Sequence, residues 1–160
     1  MTSRRGIAAV LLCALGLPAL AADDPQTGTW KLDLAKSRYV SATPPLSSVV
    51  TTTPSGKDGV SLTVNAVNAR GEKMVIQYSA QYDGKPYPRT ESGAGAIAGQ
   101  SVTLRRIDAR TVERIVYLAG KPMGTETWAI SQDGRTRTVT QSGIDSQGKP
   151  INNFQVYVKQ

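Results

Sequence analysis

Histidine is absent from this 160-residue chain, and cysteine occurs once, at Cys13. Without an imidazole there is no Ser-His-Asp or Cys-His arrangement for nucleophilic catalysis. A zinc site built from histidine and cysteine is excluded for the same reason. One cysteine cannot form an intrachain disulfide, so stability must come from packing and strand pairing. Aromatics are few, at 6 per cent, with a single phenylalanine and two tryptophans. No long segment after the first residues carries a helical period with caps. The one extended apolar run, Ile7–Leu20, is shorter than the roughly 20 residues that a spanning helix needs.

That run has a different reading. Arg4 and Arg5 precede it, and Ala19-Leu20-Ala21 follows as a small-x-small processing site. Together they read as an export signal, residues 1–21, cleaved after Ala21. One domain, residues 22–160, would remain, periplasmic or secreted and without a stable membrane anchor. Cys13 lies inside the run, and Leu11-Leu12 before it lacks the small residue that lipoprotein processing requires. Cleavage also removes two arginines from a formal net charge of +7. The other basic residues are dispersed, with only Arg105-Arg106 adjacent, where nucleic-acid binders carry a dense stripe interleaved with aromatics. Nucleic acid is not an expected partner. Anionic lipid, polysaccharide or an acidic ligand fits a moderately basic exported surface better.

From Gly28 onward, Thr-, Val-, Ile- and Tyr-rich stretches alternate with turn residues every 8 to 12 positions or so, as in an all-β sandwich or barrel. The tripeptide Gly-Lys-Pro occurs three times, at residues 84–86, 120–122 and 148–150. Each fits a turn. Glycine takes a positive φ without strain, and proline starts the next strand where no ladder donor is needed. A phosphate loop would lead into a helix, and none follows. The Gly-rich stretch 92–99 and the Pro-containing stretch 36–46 read as loops.

Period-2 alternation places side chains on shared faces. Val60, Leu62, Val64 and Ala66 share one, as do Met74, Ile76, Tyr78 and Ala80. Other faces mix charge with apolar residues: Val102, Leu104 and Arg106; Val112, Arg114, Val116 and Leu118; Glu126, Trp128 and Ile130. Buried charges are rare unless paired. Arg106 and Arg114 therefore either meet the head group of an anionic ligand or find partners such as Glu113 and Glu126. The aspartates sit mostly in turns, where they serve the backbone, so paired-carboxylate catalysis is not expected. Neither an enzymatic activity nor a cofactor is predicted.

Gly28-Thr29-Trp30-Lys31-Leu32 at the start, Gln132-Asp133-Gly134-Arg135 and the closing Val156-Tyr157-Val158-Lys159-Gln160 resemble the calycins, the lipocalins and fatty-acid-binding proteins. The chain is similar to small exported bacterial proteins described as lipocalin-like. This resemblance implies an antiparallel up-and-down β-barrel of 8 to 10 strands that binds a small hydrophobic or amphipathic molecule as a monomer. It implies a structural role for Gly28, Trp30 and Lys159, the lysine ammonium lying over the indole. The expected ligand contacts are Met74, Ile76, Tyr78, Arg106, Arg114, Trp128, Gln155 and Tyr157. The Arg-x-Tyr that grips a carboxylate in fatty-acid-binding proteins is here Gln155-Val156-Tyr157, matching at Tyr157 alone. Alternation by itself would turn Phe154, Val156 and Val158 inward instead. A second possibility is a barrel filled by its own side chains, whose basic surface contacts an acidic envelope protein or polymer.

Overall fold

The computed structural model describes residues 24–160 apart from 41 and 146; the export signal expected over residues 1–21 lies outside the described residues. Eleven antiparallel strands follow in order: β1 (Gly28–Leu32), β2 (Arg38–Tyr39), β3 (Ser47–Pro54), β4 (Gly59–Val67), β5 (Lys73–Gln81), β6 (Tyr87–Gly93), β7 (Gln100–Arg106), β8 (Thr111–Leu118), β9 (Lys121–Ile130), β10 (Thr136–Ile144) and β11 (Pro150–Lys159). From β3 to β11 each strand pairs with the next, and β1 pairs with both β3 and β11. The result is a closed up-and-down barrel of ten strands, with β2 added on the outer end of β11. Closure leaves few free edges, which a sheet of this length would otherwise expose.

The turns follow their chemistry. Gly84, Gly120 and Gly148 have φ of 73°, 77° and 80°, and each Gly-Lys-Pro leads into the start of β6, β9 or β11. Ala119 shares the positive-φ conformation at 49°, so the β8–β9 hairpin turns on two such residues in succession. Stretch 36–46, read as a loop, also contains β2 and the end of a 3-10 turn, Leu34–Lys36.

The alternating faces point inward as their periodicity requires. Trp30, Val60, Val102, Leu104 and Val112 are fully buried, and each such side chain stabilises the fold by roughly 1.5–3 kcal/mol. They fill the half of the barrel nearest the chain's first described residues. That end is plugged. The Arg106 guanidinium stacks on Tyr82 at 4.0 Å and donates to Asp24 at 2.9 Å, while Tyr82 Oη donates to the same carboxylate at 2.8 Å. Gln26 beside it is fully buried and donates Nε2–H to the Arg110 carbonyl.

Burial opposes ionisation of Asp24, but hydrogen bonds from Arg106, the Gln26 N–H and Tyr82 outweigh it and hold the carboxyl below its ordinary 3.8. A carboxylate with a lowered folded-state value stabilises fully above its unfolded value, and the contribution is lost as pH falls through the folded one. Asp24→Asn is therefore expected to cost about 2 kcal/mol at pH 7 and much less at pH 2.5. Urea denaturation at the two pH values checks this; equal losses at both would remove Asp24 from the acid response.

A half-hollow barrel and its buried charges

The opposite half of the barrel is hollow. A cavity of about 570 Å³ opens at the end formed by the β4–β5, β6–β7, β8–β9 and β10–β11 turns, within the roughly 300–1,000 Å³ typical of small-molecule sites. Its deep wall contains Val50, Leu62, Trp128, Val139 and Tyr157, and its collar near the mouth contains Met74, Ile97, Leu118, Met123 and Ile151. Between these two apolar zones runs a polar belt.

The belt centres on Arg114 and Glu126, directly opposite on β8 and β9. Both are buried and ion-paired. Glu126 also accepts from Trp128 Nε1 at 2.9 Å and Gln141 Nε2 at 3.3 Å, and Arg114 donates to Tyr78 Oη at 3.3 Å. Burial works to raise Glu126, yet the adjacent Arg114 and the hydrogen bond from Trp128 hold its carboxyl below the ordinary 4.5. The belt continues on β6, where Arg89 pairs with Glu91 and donates to Gln100 Oε1 at 2.7 Å. Glu91 in turn accepts the Ile97 N–H at 3.0 Å, and Gln100 Nε2 donates to the Ile97 carbonyl at 3.1 Å. The Gly-rich stretch at the mouth is thus fastened to the belt.

A third guanidinium completes the wall. Arg137 is 2 per cent exposed and lines the cavity floor. It lies over Trp30 at 4.5 Å and Trp128 at 5.4 Å, and it donates to the Gln26 carbonyl and to Thr52 Oγ1. Among the described residues it pairs with no carboxylate. Burial pushes it down to about 10, which leaves it charged at neutral pH. Below the mouth the cavity wall therefore carries Arg89, Arg114 and Arg137 against Glu91 and Glu126, a surplus of one positive charge in a low-dielectric enclosure; a third carboxylate, Asp145, lines the cavity at the β10–β11 turn of the mouth.

The residues expected from the sequence divide in two. Met74, Ile76, Arg114, Trp128, Gln155 and Tyr157 line the cavity together. Tyr78 stands behind Arg114, and Arg106 lies at the plugged end, outside the cavity lining, paired with Asp24 and Asp58. Lys159 does lie over Trp30, at 5.1 Å, but Arg137 lies closer. On β11 the inward set is Gln155 and Tyr157, not the set simple alternation favours. Val156 is buried on the outer face because the 34–37 hook covers it: Asp33 N–H donates to its carbonyl, and Ser37 Oγ accepts its N–H.

Arg89, Glu91, Gln100, Arg137 and Gln141 were not anticipated. A signal existed on β10, where Thr136, Thr138 and Thr140 alternate with Arg137, Val139 and Gln141. Arg89 and Glu91 also share a face two residues apart. Among the described residues no group of three histidine, cysteine, aspartate or glutamate side chains is placed to hold a metal ion. No protein-family model matches the chain, and no curated protein resembles it closely enough to count as a match.

Proposed function

We propose that this protein is a lipocalin-like carrier, exported from the cytoplasm, that holds one small amphipathic molecule with an anionic head group and performs no catalysis. The observation that carries this reading is a half-hollow barrel whose wall below the mouth has three guanidiniums for two carboxylates, with the one other lining carboxylate, Asp145, out at the mouth turn. The apolar zones suit a hydrocarbon body, and the positive surplus suits a carboxylate or phosphate at mid-depth. A barrel filled by its own side chains accounts for the plugged half but not for about 570 Å³ of space in the other. Export rests on the Arg4-to-Ala21 pattern alone.

At an effective dielectric near 20, a charge about 8 Å away contributes roughly 2 kcal/mol. The protein should therefore bind dodecanoate on the order of tenfold more tightly than dodecanol, measured by displacement of 1-anilinonaphthalene-8-sulfonate. Arg137→Met should erase most of that preference while leaving dodecanol binding near its original value. Val64→Trp combined with Val116→Trp, both at the cavity wall, should abolish binding of either compound. Unchanged binding in the filled variant would place the ligand elsewhere and end this reading.

A further inference from the structure

The barrel wall has a seam beside the mouth. β1 ends at Leu32, and its pairing with β3 stops at Lys31 opposite Val49. Above that point β2 pairs with β11 through Arg38 and Tyr39, and no pairing joins β2 to β3 among the described residues. The gap is covered by side chains from its two flanks and from the connection between them: Tyr39 of β2, Thr43 and Pro45 of the connection and Ser48 of β3 all line the cavity there. On the outside of the same cover, Val40 is 68 per cent exposed and Leu46 58 per cent. Ile144 on the neighbouring mouth hairpin is exposed as well.

Charge divides unevenly between the two ends. Around the mouth and seam, Lys36 is bridged to Asp33 and Arg70 to Glu72. Arg38, Lys73, Lys121 and Lys149 then face solvent against one further carboxylate, Asp145. At the plugged end, seven cations stand against six carboxylates on the turns and strand ends. Exposed aliphatics and surplus cations thus coincide at the opening of the cavity.

We infer that the mouth and seam form a docking surface for an anionic lipid bilayer, on which the protein rests peripherally with Val40 and Leu46 entering the head-group layer. Aliphatic side chains on a cationic surface have the composition that binds such interfaces. Each cation near an anionic leaflet adds roughly fivefold to affinity. The seam would then face the membrane, so that a ligand passes between bilayer and cavity without crossing water. Among the described residues no helix is long and apolar enough to cross a membrane.

The test is co-sedimentation of the folded protein, purified from an export host, with vesicles. Vesicles of phosphatidylcholine and phosphatidylglycerol at 3:1 are compared with phosphatidylcholine alone. Wild type should partition at least tenfold more strongly to the anionic vesicles, and raising salt from 0.1 to 1 M should remove most of that preference, since the screening length falls from about 10 to about 3 Å. The double variant Val40→Asp, Leu46→Asp and the double variant Lys73→Glu, Lys121→Glu should each lose at least tenfold. Ile107→Asp, an exposed aliphatic at the plugged end, should bind as wild type does. Because every substituted side chain is exposed, thermal midpoints should stay within a few degrees and confirm that each variant is folded. Equal partition to both vesicle types, or an equal loss in Ile107→Asp, overturns the inference. The assay needs no cavity ligand, so its outcome is separate from that of the carrier reading.

Discussion

Glu126→Ala is expected to lower folding stability by about 3–5 kcal/mol, the cost of breaking a buried ion pair by removing one partner. For a domain of this size that corresponds to a midpoint lower by roughly 10–20 °C. Three groups lose their acceptor at once. Arg114 is left buried without a counter-charge, and the Trp128 Nε1 and Gln141 Nε2 donors lose their carboxylate oxygens. Water from the cavity can reach part of this belt and repair some of the loss, which favours the lower half of the range.

Two companion variants separate charge from hydrogen bonding. Glu126→Gln retains an oxygen for Trp128 but no charge for Arg114, so it should fall between wild type and alanine. The double variant Arg114→Met, Glu126→Leu removes both charges and refills the volume. It should recover most of the stability, because a buried pair is weak evidence of net stabilisation. Thermal unfolding followed by tryptophan fluorescence reads all of them. A single Glu126→Ala loss below about 1 kcal/mol would show that the pair is solvated in practice. Since the Glu126 carboxyl is held below its ordinary 4.5, the wild-type advantage over Glu126→Gln should be full above that pH and shrink as pH falls through the lowered value.

Arg137→Ala is the second large effect, at about 3 kcal/mol. The guanidinium joins parts of the chain that are distant in sequence: it covers Trp30 of β1 and Trp128 of β9 and satisfies the Gln26 carbonyl and Thr52 of β3. A desolvated cation–π contact contributes about 2 kcal/mol or more, and a hydrogen bond from a charged donor about 1.5–3 kcal/mol, although the Gln26 carbonyl keeps Trp30 Nε1 as a second donor at 3.3 Å. Against these stands the desolvation of an unpaired cation, the same burial that lowers its proton affinity. Arg137→Met removes the charge but keeps apolar volume over the indoles, so it should cost no more than about half as much as alanine. Urea denaturation with an unchanged slope would assign both losses to the folded state. If methionine is as damaging as alanine, the hydrogen bonds dominate. If alanine is harmless, the clasp carries no weight in folding and Arg137 serves the cavity alone.

The β8–β9 hairpin illustrates how far residue patterns reach. Alternation alone puts Val112, Arg114 and Val116 on one face of β8 and Glu126, Trp128 and Ile130 on one face of β9. It does not say that the two faces coincide. At the turn, Tyr117 opposes Pro122 and Leu118 opposes Lys121; carried down unchanged, that register would set Arg114 against Thr125. A bulge between Val116 and Tyr117 inserts Met123, after which Val116 meets Gly124 and Arg114 meets Glu126. Glycine is required beside it. A Cβ on Gly143, at φ 150°, would lie 2.3 Å from the Met123 carbonyl oxygen and 2.4 Å from the Gly124 Cα. One extra residue therefore decides whether Glu126 neutralises Arg114 or faces water.

Strand identity, turn positions and antiparallel order were legible along the chain, because they depend on neighbours a few residues apart. The period-2 faces, the positive-φ glycines before lysine and proline, and the Gly-x-Trp opening are all local signals, and the ten-strand barrel agrees with each. Arg106 and Arg114 were legible as charges on apolar faces, yet alike in that respect. Only depth along the barrel axis separates them, sending Arg106 to Asp24 at the plug and Arg114 to the cavity belt. The surplus charge of the wall below the mouth and the unpaired seam between β2 and β3 are sums over strands that never meet in sequence. Local propensity and periodicity determined that this chain forms an antiparallel all-β fold; closure, register and depth, which are long-range packing outcomes, decided that the barrel is hollow and where its charges face.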